Sequence, residues 1–138
     1  MTPQEIFDTV ARHLFTQGER AGLQHLDEDG EAYDFECLYR APGGKTCAVG
    51  CLIPDDAYRP SMEGSNPDTL TAMFSDLLPT WMRANADMLV DLQAIHDTAV
   101  NWKDDTAMKF ALGLTADKFG LDKDILYTLS FNREPEGV

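Results

Sequence analysis

The sequence predicts an α+β fold: a mostly helical single domain of about five helices with one small antiparallel β-hairpin. Two observations carry this prediction. Apolar residues recur at the three-to-four spacing of amphipathic helices, both at the start of the chain and through its second half. Two short alternating segments flank a turn-forming stretch at 27–30, which indicates a hairpin. The 138 residues are expected to form one globular domain over 1–133, with a frayed tail at 134–138.

The first helix has clear start and stop signals. Thr2 is suited to cap it, Pro3 suits its first position, and Glu5 completes a capping box with Thr2. Gly18 suits the left-handed conformation that ends a helix, so the helix is expected to run from about Pro3 to Gln17. The residues of its predicted buried face are Ile6, Phe7, Val10, Leu14 and Phe15.

The pattern then changes to that of strands. Residues 22–26 alternate weakly, the DEDG sequence at 27–30 offers turn chemistry, and residues 31–40 alternate again. These features predict the small hairpin.

The stretch 37–58, CLYRAPGGKTCAVGCLIPDDAY, contains all three cysteines and a Pro-Gly-Gly turn. Its apolar run from Cys47 to Ile53 predicts one or two buried helical turns, which Pro54 ends. An irregular loop of about a dozen residues is expected to follow.

This stretch, with the SMEG sequence at 61–64, resembles a CLYRxPxGxxCAVGCLIPD-type motif of small uncharacterised proteins of phages and bacteria. The resemblance covers 37–64 and the amphipathic first helix ending in Gln17-Gly18. It implies a phage or prophage setting, and hence a protein of the host cytosol. It implies no activity and no particular partner.

Helical patterns resume in the second half, where we expect helices over about 68–78, 79–102 and 105–119 and a last one after 122. Asp68 is expected to cap the first of them, and Asp104 or Asp105 the third. The expected buried stripe of the first consists of Leu70, Met73, Phe74, Leu77 and Leu78. The helix over 79–102 is expected to be the central one.

The composition is strongly acidic. Lys and Arg number 11 and Asp and Glu 24, which gives a formal net charge of −13. This charge repels nucleic-acid phosphates, so direct binding of DNA or RNA is not expected. No apolar run approaches the roughly 18 residues that a membrane helix requires, and the N-terminus lacks the layout of a signal peptide, so we expect a cytoplasmic protein without a membrane partner.

Strong acidity without a catalytic constellation favours a non-enzymatic protein that binds other proteins. We expect the partner to be a host protein with a basic surface, such as a nucleic-acid-handling or defence protein, which this chain inhibits or engages as a nucleic-acid mimic. The sequence makes no prediction of oligomeric state. The candidate contacts, in the hairpin and in the loop after Pro54, are Asp27, Glu28, Asp29, Glu31, Asp55, Asp56 and Glu63.

One alternative is a cysteine-dependent enzyme that uses Cys47 with a histidine as its base, His96 or His13. Cys47 follows a glycine turn, lies near Lys45 and begins a predicted helical turn. These features lower the pKa of a thiol and favour the reactive thiolate.

The other alternative is a zinc-stabilised structural module. Cys37, Cys47 and Cys51, with His25 or His96, supply the ligand types of a Cys₃His tetrahedron. The chain has one C-x₃-C and a lone cysteine rather than two paired knuckles. Reduced, apolar cysteines are therefore the favoured state, and neither a metal nor another cofactor is expected.

Overall fold

A computed structural model describes residues 1–131 and has the predicted architecture, a single α+β domain with five α-helices and a two-stranded antiparallel hairpin in this range. The predicted tail at 134–138, and residues 132–133, lie outside the described residues. The elements are α1 (Pro3–Gln17), β1 (Gly22–Leu26), β2 (Ala32–Cys37), α2 (Pro67–Met73), α3 (Thr80–Ala84), α4 (Ala86–Asp97) and α5 (Asp105–Lys118).

Helix α1 begins and ends as predicted. The Glu5 N–H donates to Thr2 Oγ1 at 3.2 Å, and the Thr2 N–H donates to Glu5 Oε1 at 2.9 Å, so the capping box is complete. Gly18 ends the helix with a φ of 76°. The predicted apolar face is buried, and each of its large side chains contributes about 1.5 to 3 kcal/mol. Helix α1 is therefore one wall of the hydrophobic core.

Strands β1 and β2 form the predicted hairpin. The paired residues are Gly22 with Cys37, Leu23 with Glu36, Gln24 with Phe35, His25 with Asp34 and Leu26 with Ala32. The register shifts after His25, so Tyr33 is the extra residue of a β-bulge. Side chains alternate between the two faces of a strand, so Phe35 and Cys37 lie on the opposite face from Asp34 and its partner His25.

The segment after β2 is fixed by the carboxylate of Glu63. Its Oε1 accepts the Tyr39 N–H at 2.8 Å, and its Oε2 accepts the Arg40 N–H at 3.0 Å and the Tyr58 O–H at 2.7 Å. The CLYR and SMEG ends of the motif are thus joined by one side chain. The prediction of Glu63 as a partner contact is not favoured by this arrangement, because internal donors occupy the half-buried carboxylate.

The predicted buried turn of the motif is present as a 3₁₀ turn, Gly50–Leu52. A Cβ on Gly50 would lie 2.1 Å from the Tyr39 carbonyl oxygen, so the two backbones are in direct contact. The apolar residues of the run are buried with it: Cys47, Ala48, Val49, Leu52 and Ile53.

Helix α2 differs from its prediction at both ends. Asn66, rather than Asp68, is its cap, since Asn66 Oδ1 accepts the Thr69 N–H at 2.8 Å. The helix ends at Met73, whose side chain is 69% exposed, and Leu77 is exposed as well. The expected apolar stripe is therefore buried only in part: Leu70 and Leu78 lie in the core and Phe74 packs against it, whereas Met73 and Leu77 face solvent.

The predicted central helix is broken into α3 and α4. Asn85 leaves the helical region, with φ −117° and ψ 26°, and its Nδ2 donates to the Trp81 carbonyl at 2.8 Å. An asparagine side chain that bonds its local backbone competes with helix propagation. Helix α4 ends at Asp97, and Trp102 lies in a separate 3₁₀ turn.

The last part of the chain is closer to its prediction. Asp104 caps α5 by accepting the Ala107 N–H at 2.8 Å, whereas the expected last helix is only a 3₁₀ turn, Asp124–Thr128. The core lies between α1, α4, α5 and the Gly50–Leu52 turn. Within residues 1–131, no helix combines the length and the apolar character needed to cross a membrane.

Candidate functional site

The outward side of the hairpin combines apolar and acidic side chains. Tyr33, at the bulge, is 68% exposed, and Leu23 is also exposed. The His25 ring lies 6.2 Å from the Tyr33 ring, and its Nε2 lies 3.0 Å from Glu36 Oε2. The aromatic side chains and a carboxylate are thereby held side by side. We call this surface the outer face and define it as Leu23, His25, Tyr33, Asp34 and Glu36.

The tip of the hairpin is built by Asp27. Its Oδ1 accepts the N–H groups of Asp29 and Glu31, both at 2.9 Å, and its carbonyl accepts the Gly30 N–H at 3.0 Å. These bonds satisfy the turn locally. The carboxylates of Glu28, Asp29 and Glu31 make none of these bonds and are exposed to solvent.

The hairpin is uniform in charge. Residues 22–37 contain no lysine or arginine. Their acidic residues are Asp27, Glu28, Asp29, Glu31, Asp34 and Glu36. The structure thus places four of the predicted contact residues on one projecting element and adds two further carboxylates and an aromatic residue that the sequence analysis did not single out.

Two of the three predicted contact residues in the loop after Pro54 already interact with other groups of the chain. Asp56 is exposed. Asp55 is 94% exposed, but its Oδ1 lies 2.8 Å from Arg40 Nη1, so its charge is partly compensated. Glu63 is occupied by internal donors, as described above. We therefore centre the candidate site on the hairpin.

A cleft of about 440 Å³ lies at the base of the hairpin. Its walls on β2 and α4 are formed by Phe35, Cys37, Val90, Gln93, Ala94 and Asp97. Of the lining residues within 1–131, Asp97 is the only one that carries a charge. Asp97 was not predicted from the sequence, because nothing in the local pattern distinguishes it from other surface aspartates.

Asp97 is held by buried neighbours. His96 Nδ1 and Gln93 Nε2 each lie 2.8 Å from Asp97 Oδ1. The Ala21 N–H donates to His96 Nε2 at 3.0 Å, so the imidazole proton is on Nδ1 and is donated to Asp97. Burial alone raises the pKa of Asp97, but the hydrogen bonds from His96 and Cys37 outweigh it and hold this pKa below its usual range. Asp97 is therefore ionised at neutral pH.

The expected activation of Cys47 is wrong. The thiol is buried in the core, and this burial raises its pKa to about 12, because the thiolate loses its hydration. Lys45 forms an ion pair with Glu19. Both ring nitrogens of His96 are engaged by Ala21 and Asp97, so His96 has no lone pair available for a cysteine. This geometry argues against the cysteine-enzyme alternative.

His13, the other histidine considered as a base for Cys47, is also engaged. Its Nε2 lies 2.8 Å from the Thr46 carbonyl oxygen and 3.0 Å from Thr46 Oγ1. The ring therefore supports the backbone just before Cys47.

The expected zinc ligands do not form one cluster. Cys37 groups instead with His96 and Asp97, whose ligand atoms lie within 4.8 Å of one another. His25 is bound to Glu36 on the outer face, away from the buried Cys47. In the cluster that is present, the Nδ1 of His96 carries its proton, whereas a ligating nitrogen needs a free lone pair. All three cysteines are free thiols.

Comparisons with protein-family models, with curated proteins and with solved structures gave no match to this chain. The resemblance to small phage and bacterial proteins therefore stays a prediction.

Proposed function

We propose that this protein acts without catalysis, by binding a partner protein with a basic surface through its acidic hairpin. The observation that carries the proposal is the outer face, where Tyr33 and Leu23 are exposed among carboxylates on an element without lysine or arginine. Tyrosine is enriched at interface centres, and apolar area surrounded by charge is typical of protein contacts.

The charge pattern supports a basic partner. The formal net charge of −13 creates a field that attracts positive surfaces and repels phosphates. Electrostatic steering of this kind mainly raises the association rate. Tyr33, once buried against the partner, is expected to slow dissociation. The hairpin thus carries both parts of a binding site.

The partner class follows from the same complementarity. A protein surface that accepts dense negative charge is typically one that binds nucleic acid. The proposed partner is therefore a nucleic-acid-handling or defence protein, which this chain would inhibit by occupying the phosphate-binding surface as a mimic. The phage or prophage setting implied by the motif, and a location in the host cytoplasm, are parts of this proposal.

The test uses a tip variant that neutralises Glu28→Gln, Asp29→Asn and Glu31→Gln together. Asp27 is kept, because its side chain holds the turn. Tyr33→Ala forms a second variant. Host proteins retained on the immobilised wild type are identified by mass spectrometry, purified, and tested for displacement of a short double-stranded DNA by each variant.

The matched control neutralises Asp76, Asp87 and Asp124, which are exposed on the helical part and make no side-chain hydrogen bond or ion pair among the described residues. We expect the tip variant to reduce the association rate on the order of tenfold at low salt. Tyr33→Ala is expected to weaken binding by about 2 kcal/mol. The control should do neither.

Three results would refute the proposal. Host proteins are captured equally by the tip variant and the control, the capture is insensitive to salt, or the captured protein keeps its DNA when this chain is bound. Because the control removes the same number of charges, a general effect of net charge is distinguished from a hairpin contact.

A further inference from the structure

We propose that the cleft at the base of the hairpin binds the guanidinium group of an arginine side chain, which the partner protein inserts beside Asp97. That the arginine comes from a partner protein rests on the proposed function. The cleft itself is testable without any partner.

The position of the cleft fits such a contact. Phe35 and Cys37 of β2 form one wall, and Val90, Gln93 and Asp97 of α4 form another. The cleft therefore shares strand β2 with the hairpin that the partner is proposed to contact. The volume, about 440 Å³, is within the range of small-ligand pockets and is ample for one long side chain.

The carboxylate of Asp97 is oriented before any ligand enters. Gln93 and His96 are both buried and both donate to Oδ1. Each is itself anchored: Gln93 Oε1 accepts the Val49 N–H at 3.1 Å, and His96 Nε2 accepts the Ala21 N–H. Ionised carboxylates have about four lone-pair sites, so Asp97 retains acceptor capacity beside its donors Gln93, His96 and Cys37. Its side chain lines the cleft and is 43% exposed.

Among residues 1–131, no residue that lines the cleft is a cation, and Arg20, which lies over the Phe35 ring, contacts the carbonyl rather than the carboxylate of Asp97. The other lining residues in the described part of the chain are apolar or uncharged. Low-dielectric walls around a single carboxylate concentrate its field at the mouth of a cleft, and an entering cation is attracted to it. The ionised state of Asp97 at neutral pH agrees with this arrangement.

The chemistry favours a guanidinium over an ammonium ion. A guanidinium is planar, donates in a fork that matches a carboxylate and loses less hydration on entering a partly buried site. The chain itself already shows a related contact on this strand. The Arg20 guanidinium lies 4.1 Å over the Phe35 ring, and its Nη1 lies 3.4 Å from the Asp97 carbonyl oxygen. This hydrogen bond does not use the Asp97 carboxylate.

The experiment is an NMR titration of the full chain with N-acetyl-arginine methylamide. The uncharged isostere N-acetyl-citrulline methylamide is the matched ligand control. We expect saturable shifts of the amide signals around Cys37 and Asp97 with the arginine compound. Asp97→Asn and the citrulline compound should each weaken binding about tenfold or more. Melting curves verify that the Asp97 variant is folded.

Ala94→Phe is a second variant that keeps the Asp97 hydrogen bonds, since Ala94 is an exposed residue of the cleft wall. The added ring is expected to fill the cleft and abolish the shifts, whereas the tip variant should leave them intact. Equal shifts with arginine and citrulline compounds, or shifts confined to the tip, would overturn the inference. If the hairpin is needed to capture a partner but the arginine compound causes no shifts at the cleft, only this inference is refuted. If the compound causes these shifts but no partner is captured, only the proposed function is refuted.

Discussion

Replacing Glu63 with alanine should destabilise the fold strongly, although the residue lies in a surface loop. The variant removes the common acceptor of the Tyr39 N–H, the Arg40 N–H and the Tyr58 O–H, which lie 2.8, 3.0 and 2.7 Å from its carboxylate oxygens. Two backbone donors and the Tyr58 hydroxyl then lose their acceptor, and the hydrogen bond from the Tyr39 hydroxyl to the Ser65 carbonyl oxygen remains between the two ends of the motif.

The magnitude follows from these contacts. A hydrogen bond to a charged group contributes about 1.5 to 3 kcal/mol, and a buried donor left without a partner costs about 1 to 3 kcal/mol. The three bonds are part-buried, so water replaces some of them after truncation. We therefore expect the free energy of unfolding to fall by about 3 kcal/mol, or the melting temperature by roughly 10 °C for a domain of this size.

Urea denaturation followed by circular dichroism measures this loss. Glu63→Gln keeps an acceptor oxygen but turns an NH₂ group toward other donors, so it should lose about 2 kcal/mol. Glu28→Ala, at the exposed tip, is the matched control and should change stability by less than about 0.5 kcal/mol. A loss below about 1 kcal/mol in Glu63→Ala would refute the role of this carboxylate as the link between the two ends of the motif.

Native alkylation at pH 8 should be slow at Cys47 and faster at Cys37, because both thiols have a pKa raised to about 12 but only Cys47 is buried. Rapid labelling of Cys47, read by mass spectrometry, would contradict its place in the core. Gly50→Ala should lose more than about 2 kcal/mol or fail to fold, whereas the matched Gly113→Ala, with no neighbour of its Cβ closer than 3.7 Å, should gain about 0.5 to 1 kcal/mol in urea melts. Stability should fall as the pH drops below 6.5, because burial lowers the pKa of His13 and the unfolded chain takes up the proton first; His13→Gln should flatten this part of the stability profile. EDTA should leave the melting temperature unchanged, and a drop of many degrees would support the zinc module instead.

The elements predicted correctly from sequence are those determined by near neighbours. The capping box of α1 and the turn at the tip of the hairpin each satisfy their backbone groups within a few residues. The central helix was mispredicted because Asn85 is only a moderate helix breaker by propensity, and its side-chain bond to Trp81 decides the outcome. Met73 and Leu77 continue a periodic stripe but face solvent, whereas Leu78 of the same stripe is buried, and periodicity alone does not distinguish them.

The residues of the candidate site were likewise predictable only where local features determine their environment. The tip carboxylates were predictable, since turn chemistry and exposure go together in a hairpin. The role of Glu63 was not, because its donors come from Tyr39, Arg40 and Tyr58, and an acidic residue in a loop otherwise suggests exposure. Asp97 was missed because its environment combines α4 with β2 and a backbone N–H from Ala21, a long-range arrangement that leaves no local signature.

The hairpin and the cleft are connected through Ala21. Its carbonyl accepts the Leu38 N–H at 3.1 Å and closes the root of the hairpin, while its own N–H donates to His96. A two-stranded hairpin is marginally stable in water by itself, so this root bond to a buried imidazole helps to fix its orientation. The same imidazole orients Asp97. A cation bound at Asp97 and a partner bound at the hairpin would therefore act on two ends of one hydrogen-bonded arrangement, which is already formed in the free protein because His96 and Ala21 are both buried.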